Sequence, residues 1–218
     1  NKNLFLKIMF CLFKNREHKD QFSCTVSLFF LLLFVFLFLI SDWSFTDLSR
    51  THSLFSLATQ WPDSDNGFVM GKATAADTVG LYVANQGLIS VLDYELNTWH
   101  SICSTWGSES GLAQLWFNGK PLVRKFISES QIDKPLVALG QEQDSYGGKF
   151  DIKQSFVGMM TDVHMWNYVL SSCEIQNYVG NLNFTPGNVL NWKALTFEKT
   201  GNVLIENKQL TCTSPNVQ

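Results

Sequence analysis

Residues 112–125 read LAQLWFNGKPLVRK, and this stretch decides the fold class. Two β-prone runs, 112–117 and 122–125, flank Asn118-Gly119, the pair a two-residue type I′ turn prefers because both central positions need positive φ. The result is an antiparallel hairpin whose register the turn fixes. Working outward, residues 99–106 alternate, with His100, Ile102, Ser104 and Trp106 on one face and Ser101, Cys103 and Thr105 on the other, so one of those faces is core. Residues 79–83 and 88–94 predict two more strands around Asn85-Gln86-Gly87, a hairpin turn by composition. Residues 45–48 and 53–58 are β-like runs, ended by the breaker-rich loop Trp61-Pro62-Asp63-Ser64-Asp65-Asn66-Gly67.

On the C-terminal side a strand over 157–166 leads into the one convincing helix. Ser171-Ser172-Cys173-Glu174 is a capping box, and Leu170 and Ile175 are spaced as its hydrophobic staple. Ile175, Tyr178 and Val179 supply the buried stripe, and Gly180 is the stop. Strand pattern returns at 188–197 and 203–205. Many short strands, frequent turns and a single short helix predict an all-β chain: an antiparallel β-sandwich of jelly-roll, lectin-like type.

A length of 218 residues with 45% hydrophobic content is enough to bury one sizeable core. A net charge of -3, with no cluster of Lys and Arg beyond Asn118, offers nothing for a phosphate backbone to hold, so no nucleic-acid partner is expected. Five cysteines, at 11, 24, 103, 173 and 212, lack CxxC spacing, which argues against zinc. Wide spacing in a Trp-rich β protein instead predicts one or two disulfides in an oxidising compartment. Asn183-Phe184-Thr185 is a glycosylation acceptor sequence, followed by Pro186.

Residues 1–40 differ from the rest. Lys7, Lys14, Arg16 and Lys19 precede 22–40, a run free of charge and made largely of Leu and Phe. Three readings stand: an apolar span long enough to cross a bilayer, with the C-terminal domain outside; an export signal, for which Leu39-Ile40-Ser41 is a poor cleavage site; and translated pyrimidine-rich intron ahead of a splice acceptor. The expected division is 1–40 as an atypical segment, 41–212 as the domain and 213–218 as a tail.

Chemistry concentrates at residues 139–154, LGQEQDSYGGKFDIKQ. Calcium takes six to eight oxygens in irregular geometry. Glu142, Asp144, Asp151 and Gln154 offer side-chain oxygens, Gln143 a main-chain one, and Gly147-Gly148 the sharp return. The alternative is a pair of solvated acidic turns. Asp63-Ser64-Asp65-Asn66-Gly67 imitates an EF-hand start, but its Gly comes one residue early and Thr74 replaces the bidentate acid. Glu142 and Asp144, two apart, also raise a glycosidase reading. That reading lacks a further nearby acid, and Ser108, Ser110 and Cys103 show no activated-nucleophile context, so no enzyme is expected.

In order along the chain, HSICSTWGS at 100–108, Gly119-Lys120-Pro121, LGQEQDS at 139–145, Met165-Trp166 and NVLNW at 188–192 resemble the pentraxins, the family of C-reactive protein and serum amyloid P component. The resemblance covers residues 42–210. It implies a secreted, calcium-dependent recognition protein with a jelly-roll fold and disc-shaped, pentameric assembly. Two calcium ions are implied, with Asp65 and Asn66 in the places of an early-loop pair, and Glu142, Gln143 through its carbonyl, Asp144, Asp151 and Gln154 in those of the second loop. Implied partners are phosphate- or carboxylate-bearing surface ligands, phosphocholine and phosphoethanolamine among them.

There are departures. Asp151 is Glu in the best-known members. Ser101 holds the place of the signature His, and His100 comes one residue earlier. The half-cystine expected near Ser41 to pair with Cys103 is absent, leaving Cys173 with Cys212 as a candidate pair. The family's first strands are not recognisable in residues 1–40. Gly71 and the small residues 73–76 stand where a bulky wall for choline methyl groups is expected. The competing reading is a structural or adhesive jelly-roll domain, membrane-tethered through residues 22–40.

Overall fold

The computed structural model describes residues 4–8, 24–27, 37–60, 64–73, 77–199 and 201–207. Its strands are β1 Leu4–Ile8, β2 Cys24–Ser27, β3 Leu37–Phe45, β4 His52–Thr59, β5 Ser64–Lys72, β6 Thr78–Val83, β7 Gln86–Val91, β8 Trp99–Gly107, β9 Leu112–Phe117, β10 Lys120–Phe126, β11 Leu136–Leu139, β12 Gly158–Trp166, β13 Leu190–Asn191, β14 Glu198–Lys199 and β15 Val203–Asn207, with one helix, α1 Ser172–Val179. They form two antiparallel sheets. The first runs β10-β9-β8-β3-β12-β1-β15, with β13 on β12, and the second β14-β2-β11-β4-β5-β6-β7. This is the predicted sandwich.

Alternation along the strands places the core between the sheets. Leu57, Phe68, Leu81 and Val83 from the second sheet meet Ile102, Trp106, Leu115, Met160 and Val163 from the first, all fully buried. The hairpin that opened the sequence reading forms as predicted: Asn118 and Gly119 sit at φ 48° and 76°, and Phe117 pairs with Lys120. Both faces of β8 are buried, where the sequence promised one. Ile102 and Trp106 face the core, while Cys103 lies with Trp116 and Trp166 on the outer face, covered by Ile175 and Tyr178 of α1. An eight-residue helix is too short to persist alone. Burying Leu170, Ile175 and Tyr178, at about 2 kcal/mol each, holds it there.

The capping box is present. Ser171 Oγ accepts from the Glu174 amide at 3.3 Å, and Glu174 Oε2 accepts from the Ser171 amide at 2.9 Å. The stop differs from expectation by one residue. Gly180 keeps a negative φ, and Asn181 takes the left-handed conformation at φ 52° while the Leu182 amide bonds back to Asn177.

Other segments are corrected. Residues 65–67, read as a loop, lie within β5 as the irregular stretch between Ser64, which pairs with Thr59, and Phe68, which pairs with Leu57 and Val83. The β6–β7 turn is Ala84-Asn85, both at positive φ, and Gly87 is in the strand beyond it. Of 188–197, only Leu190 and Asn191 are strand, since Asn191 caps a 3-10 turn at Trp192–Ala194 by accepting from the Lys193 amide. Residues 1–40, in which no first strands were recognisable, do supply pairing segments: β1 joins β12 and β15, β2 joins β11 and β14, and β3 begins at Leu37. Short runs of β-prone residues satisfy the demand of a strand wherever strands on either side are there to pair with them. The boundary at residue 40 therefore falls inside a strand. Among the described residues no helix is long and apolar enough to cross a membrane; residues 28–36, within the apolar run, lie outside them.

On β3 and β8, Ser41 stands opposite Cys103, with Oγ 2.7 Å from Sγ. Among the described residues Cys103 and Cys173 are free thiols. Cys212 lies outside the described residues, and with it the proposed pairing to Cys173.

Candidate metal centre

The outer face of the second sheet carries the site. Because Leu57 and Phe68 point into the core, Ser56 and Val69 point away from it. The outer row continues from Ala138 through Ser56, Val69 and Tyr82 to Gly87. At the end of β11 the chain leaves the sheet and folds back over this face. The Gly140 amide bonds Leu54 O at 2.9 Å, and the Phe156 amide bonds Gly140 O at 2.8 Å, closing a loop over 140–156.

Gln143 is the anchor of that loop and is fully buried. Its Nε2 donates to Leu136 O at 2.9 Å and lies 3.4 Å from Ser56 O and Oγ, while its Oε1 accepts from the Gly147 amide at 3.0 Å. The side chain is spent on the loop, so only its main-chain carbonyl remains for a ligand role. Gly147 at φ 76° and a Ser145–Gly148 bridge make the return. Asp151 Oδ1 accepts from the Lys153 amide at 2.9 Å, capping the 3-10 turn Ile152–Gln154 that brings Gln154 back. Asp65 and Asn66 come from β5. Asp65 Oδ1 accepts from the Asn66 amide, and Asn66 Nδ2 donates to Asn85 Oδ1 across the β6–β7 turn, both at 2.9 Å.

Electrostatics tie the two loops together. Burial raises the Glu142 carboxyl above its ordinary range, and the charges of Asp144 and Asp65 push it further. Asp144 is raised by burial and then by Asp65 and Asp151, with Lys149 opposing. Four acids, Asp65 from β5 and Glu142, Asp144 and Asp151 from the 140–156 loop, thus crowd around one place. Tyr82 belongs to the same neighbourhood, its hydroxyl raised by burial and by Glu142. The Tyr82 ring is laid over Gly80 and Gly87, where an added side chain would begin 2.8 Å from ring carbons. Tyr82, Asn85 and Ser56 were missed in the sequence. The strand and turn containing the first two were legible, but adjacency to Glu142 and Asn66 depends on cross-strand register.

The donor chemistry fits a hard cation. Among the described residues no group of three or more His, Cys, Asp and Glu is placed to hold a metal on its own. An oxygen cage here would have to draw on amide and main-chain groups, as calcium sites do. Two such oxygens stand ready: Asn66 Oδ1 and Gln154 Oε1 are buried and have no hydrogen-bond partner. A buried oxygen left unpaired costs about 1–3 kcal/mol, and a cation between the loops would remove that cost along with the mutual repulsion of the acids.

A sequence model of the Pentaxin family matches residues 36–207. The chain belongs to the pentraxin family. Among pentraxin relatives, serum amyloid P-component of Cavia porcellus is 42% identical over 166 residues, covering 75% of this chain and 72% of that protein. C-reactive protein of Xenopus laevis is 38% identical over 169 residues, covering 76% and 70%. The fold agrees with the crystal structure of a heptameric SAP-like pentraxin from Limulus polyphemus, with a TM-score of 0.79 at 21% identity, covering 94% of this chain and 95% of that one.

Proposed function

We propose that this pentraxin is a secreted, calcium-dependent recognition protein of the acute-phase, innate-immune kind, without catalytic activity. Two calcium ions would be held by Asp65, Asn66, Glu142, the main-chain oxygen of Gln143, Asp144, Asp151 and Gln154. The observation that carries this reading is the pair of buried, unpartnered amide oxygens of Asn66 and Gln154, together with the mutually repelling carboxyls of β5 and the 140–156 loop. Bound calcium supplies open coordination positions for the oxygens of a phosphate or carboxylate on a microbial or damaged surface. The chain's own residues set the geometry: Gln143 holds the loop to β4, Asn85 orients Asn66, and Tyr82 offers a flat apolar surface beside Glu142.

Gly71 pairs with Gly80 next to that ring, so the face has no bulky wall there. This favours phosphoethanolamine or a carboxylated group over phosphocholine. A single exposed site of this kind binds modestly, and useful avidity requires several copies on one disc. The relatives support oligomeric assembly; a pentameric disc is the reading for this chain, and the Limulus protein is a heptamer.

The test is thermal unfolding of the full chain with and without millimolar calcium, joined to retention on phosphoethanolamine resin. Calcium raises the midpoint, because it binds only the folded state, and retention is lost with chelator. The Glu142→Gln, Asp144→Asn double variant loses both effects. Retention that survives chelator, or no calcium shift in the parent chain, overturns the reading in favour of a structural or adhesive jelly-roll domain.

A further inference from the structure

Asn183-Phe184-Thr185 is the only Asn-X-Ser/Thr sequence in the chain with X other than Pro, and the fold presents it in an unusual way. It follows directly on α1, whose last turn closes at Asn181. Phe184 points inward, 5.3 Å from the His164 ring and 5.2 Å from the Tyr178 ring, both edge-on. The Thr185 carbonyl accepts from Trp166 Nε1 at 3.0 Å, and the Gly187 amide donates to His164 Nδ1 at 3.3 Å. The segment is therefore pinned at its middle residue and at its far end. Asn183 and Thr185, two apart on either side of that pin, are both exposed. The amide and the hydroxyl that a glycosyl-transferring enzyme must engage together thus lie on the solvent side.

We propose that Asn183 carries an N-linked glycan. The bond formed joins Asn183 Nδ2 to the anomeric carbon of a preassembled oligosaccharide, displacing its lipid diphosphate, while the amide gives up a proton. Next to it Leu182 is 64% exposed, an apolar side chain on an otherwise polar turn that a bulky, hydrated sugar would cover. The location determines the consequence. Helix α1 packs on the outer face of the first sheet through Ile175 and Tyr178, whereas the acidic loops lie on the outer face of the second. The glycan projects from the side of the sandwich opposite the candidate metal centre and leaves ligand access open.

The inference rests on the chain entering the secretory route, which is part of the function proposed above, so the experiment supplies that route itself. The full chain behind a cleavable export signal is translated with microsomal membranes, and the products are treated with an amidase that removes N-glycans. The expected result is a single downward mobility step on treatment, absent in Asn183→Gln and in Thr185→Ala, with Pro186→Ala raising the occupied fraction. Retention on phosphoethanolamine resin is expected to be unchanged by deglycosylation. A parent chain that shows no step while a control glycoprotein does, or that acquires one only after Pro186→Ala, overturns the proposal. Loss of retention on deglycosylation overturns its placement. Neither result bears on calcium binding, which the unfolding assay reads separately.

Discussion

Ser41→Cys should install a disulfide that the present chain lacks. Ser41 and Cys103 face one another on adjacent antiparallel strands, and the hydroxyl oxygen already lies 2.7 Å from the thiol sulfur. Directly opposed residues on such strands have Cα atoms about 4.5–5.5 Å apart, inside the range a disulfide spans. The two positions are separated by 62 residues. For a loop of that length the chain-entropy relation gives about 4 kcal/mol of stabilisation, less any strain. In a domain of this size that corresponds to a rise in the unfolding midpoint of about 10 °C. Burial, acting first, pushes the Cys103 thiol up to about 12, so it is unreactive once folded, and the bond must form during refolding. The assay is thermal unfolding of refolded parent and variant, each with and without reductant, with peptide mapping of the cross-link. The expected outcome is a midpoint gain in the variant that reductant abolishes and that Cys103→Ser removes. A variant that refolds natively under oxidising conditions with both thiols still titratable would refute the register on which the reasoning rests.

Asp42 is buried in the core beside that pair, neither carboxyl oxygen has a partner, and burial raises its pKa to about 8 from 3.8. A carboxyl raised on folding contributes stability that is lost as pH climbs from 3.8 through about 8; at pH 7 the penalty is on the order of 4 kcal/mol. Asp42→Asn should thus gain stability over the parent at pH 7.5 and lose that advantage near pH 4, and parallel denaturant midpoints across pH would disprove it. Tyr82→Ala should weaken retention on phosphoethanolamine resin while preserving the calcium-dependent midpoint shift; loss of both would place the ring's role in folding. Ser171→Ala, which removes the helix cap, should cost about 1 kcal/mol in denaturant unfolding.

What could be read from sequence was local chemistry. Asn118-Gly119 dictates its own turn, Ser171 and Glu174 dictate their own cap, and neither needs a distant partner. The acids at 142, 144 and 151 were legible as a candidate site for the same reason, since one short loop carries them. What the sequence hid was settled across strands. Residues 65–67 look like a loop until the pairing of Ser64 and Phe68 on either side of them with β4 carries them into the sheet. Ala84 adopts positive φ because Val83 pairs with Gln86, which places the turn one residue earlier than glycine content suggests. Tyr82 reaches the site only through the row from Ser56 to Gly87.

The two sheets divide stability from recognition. Every group assigned to the candidate site lies on the second sheet or the loops folded over it, where each bond that positions a donor is present: Gln143 to Ser56, Asn66 to Asn85, Asp151 to the Lys153 amide. Two faults lie side by side on one central strand of the first sheet. Along β3, Ser41 looks out toward α1 and meets a thiol it cannot bond covalently, while its neighbour Asp42 looks into the core and meets no partner. Alternation sends adjacent residues to opposite faces, so one strand weakens both layers it touches. Correcting positions 41 and 42 together should raise stability above either change alone, though not by their simple sum, because the Asp42 charge also acts on Cys103. It should leave calcium affinity unchanged, because neither residue touches the loops that hold the donors. A double variant whose calcium affinity moved with its stability would show that the sheets are coupled and that the site depends on the strand behind it.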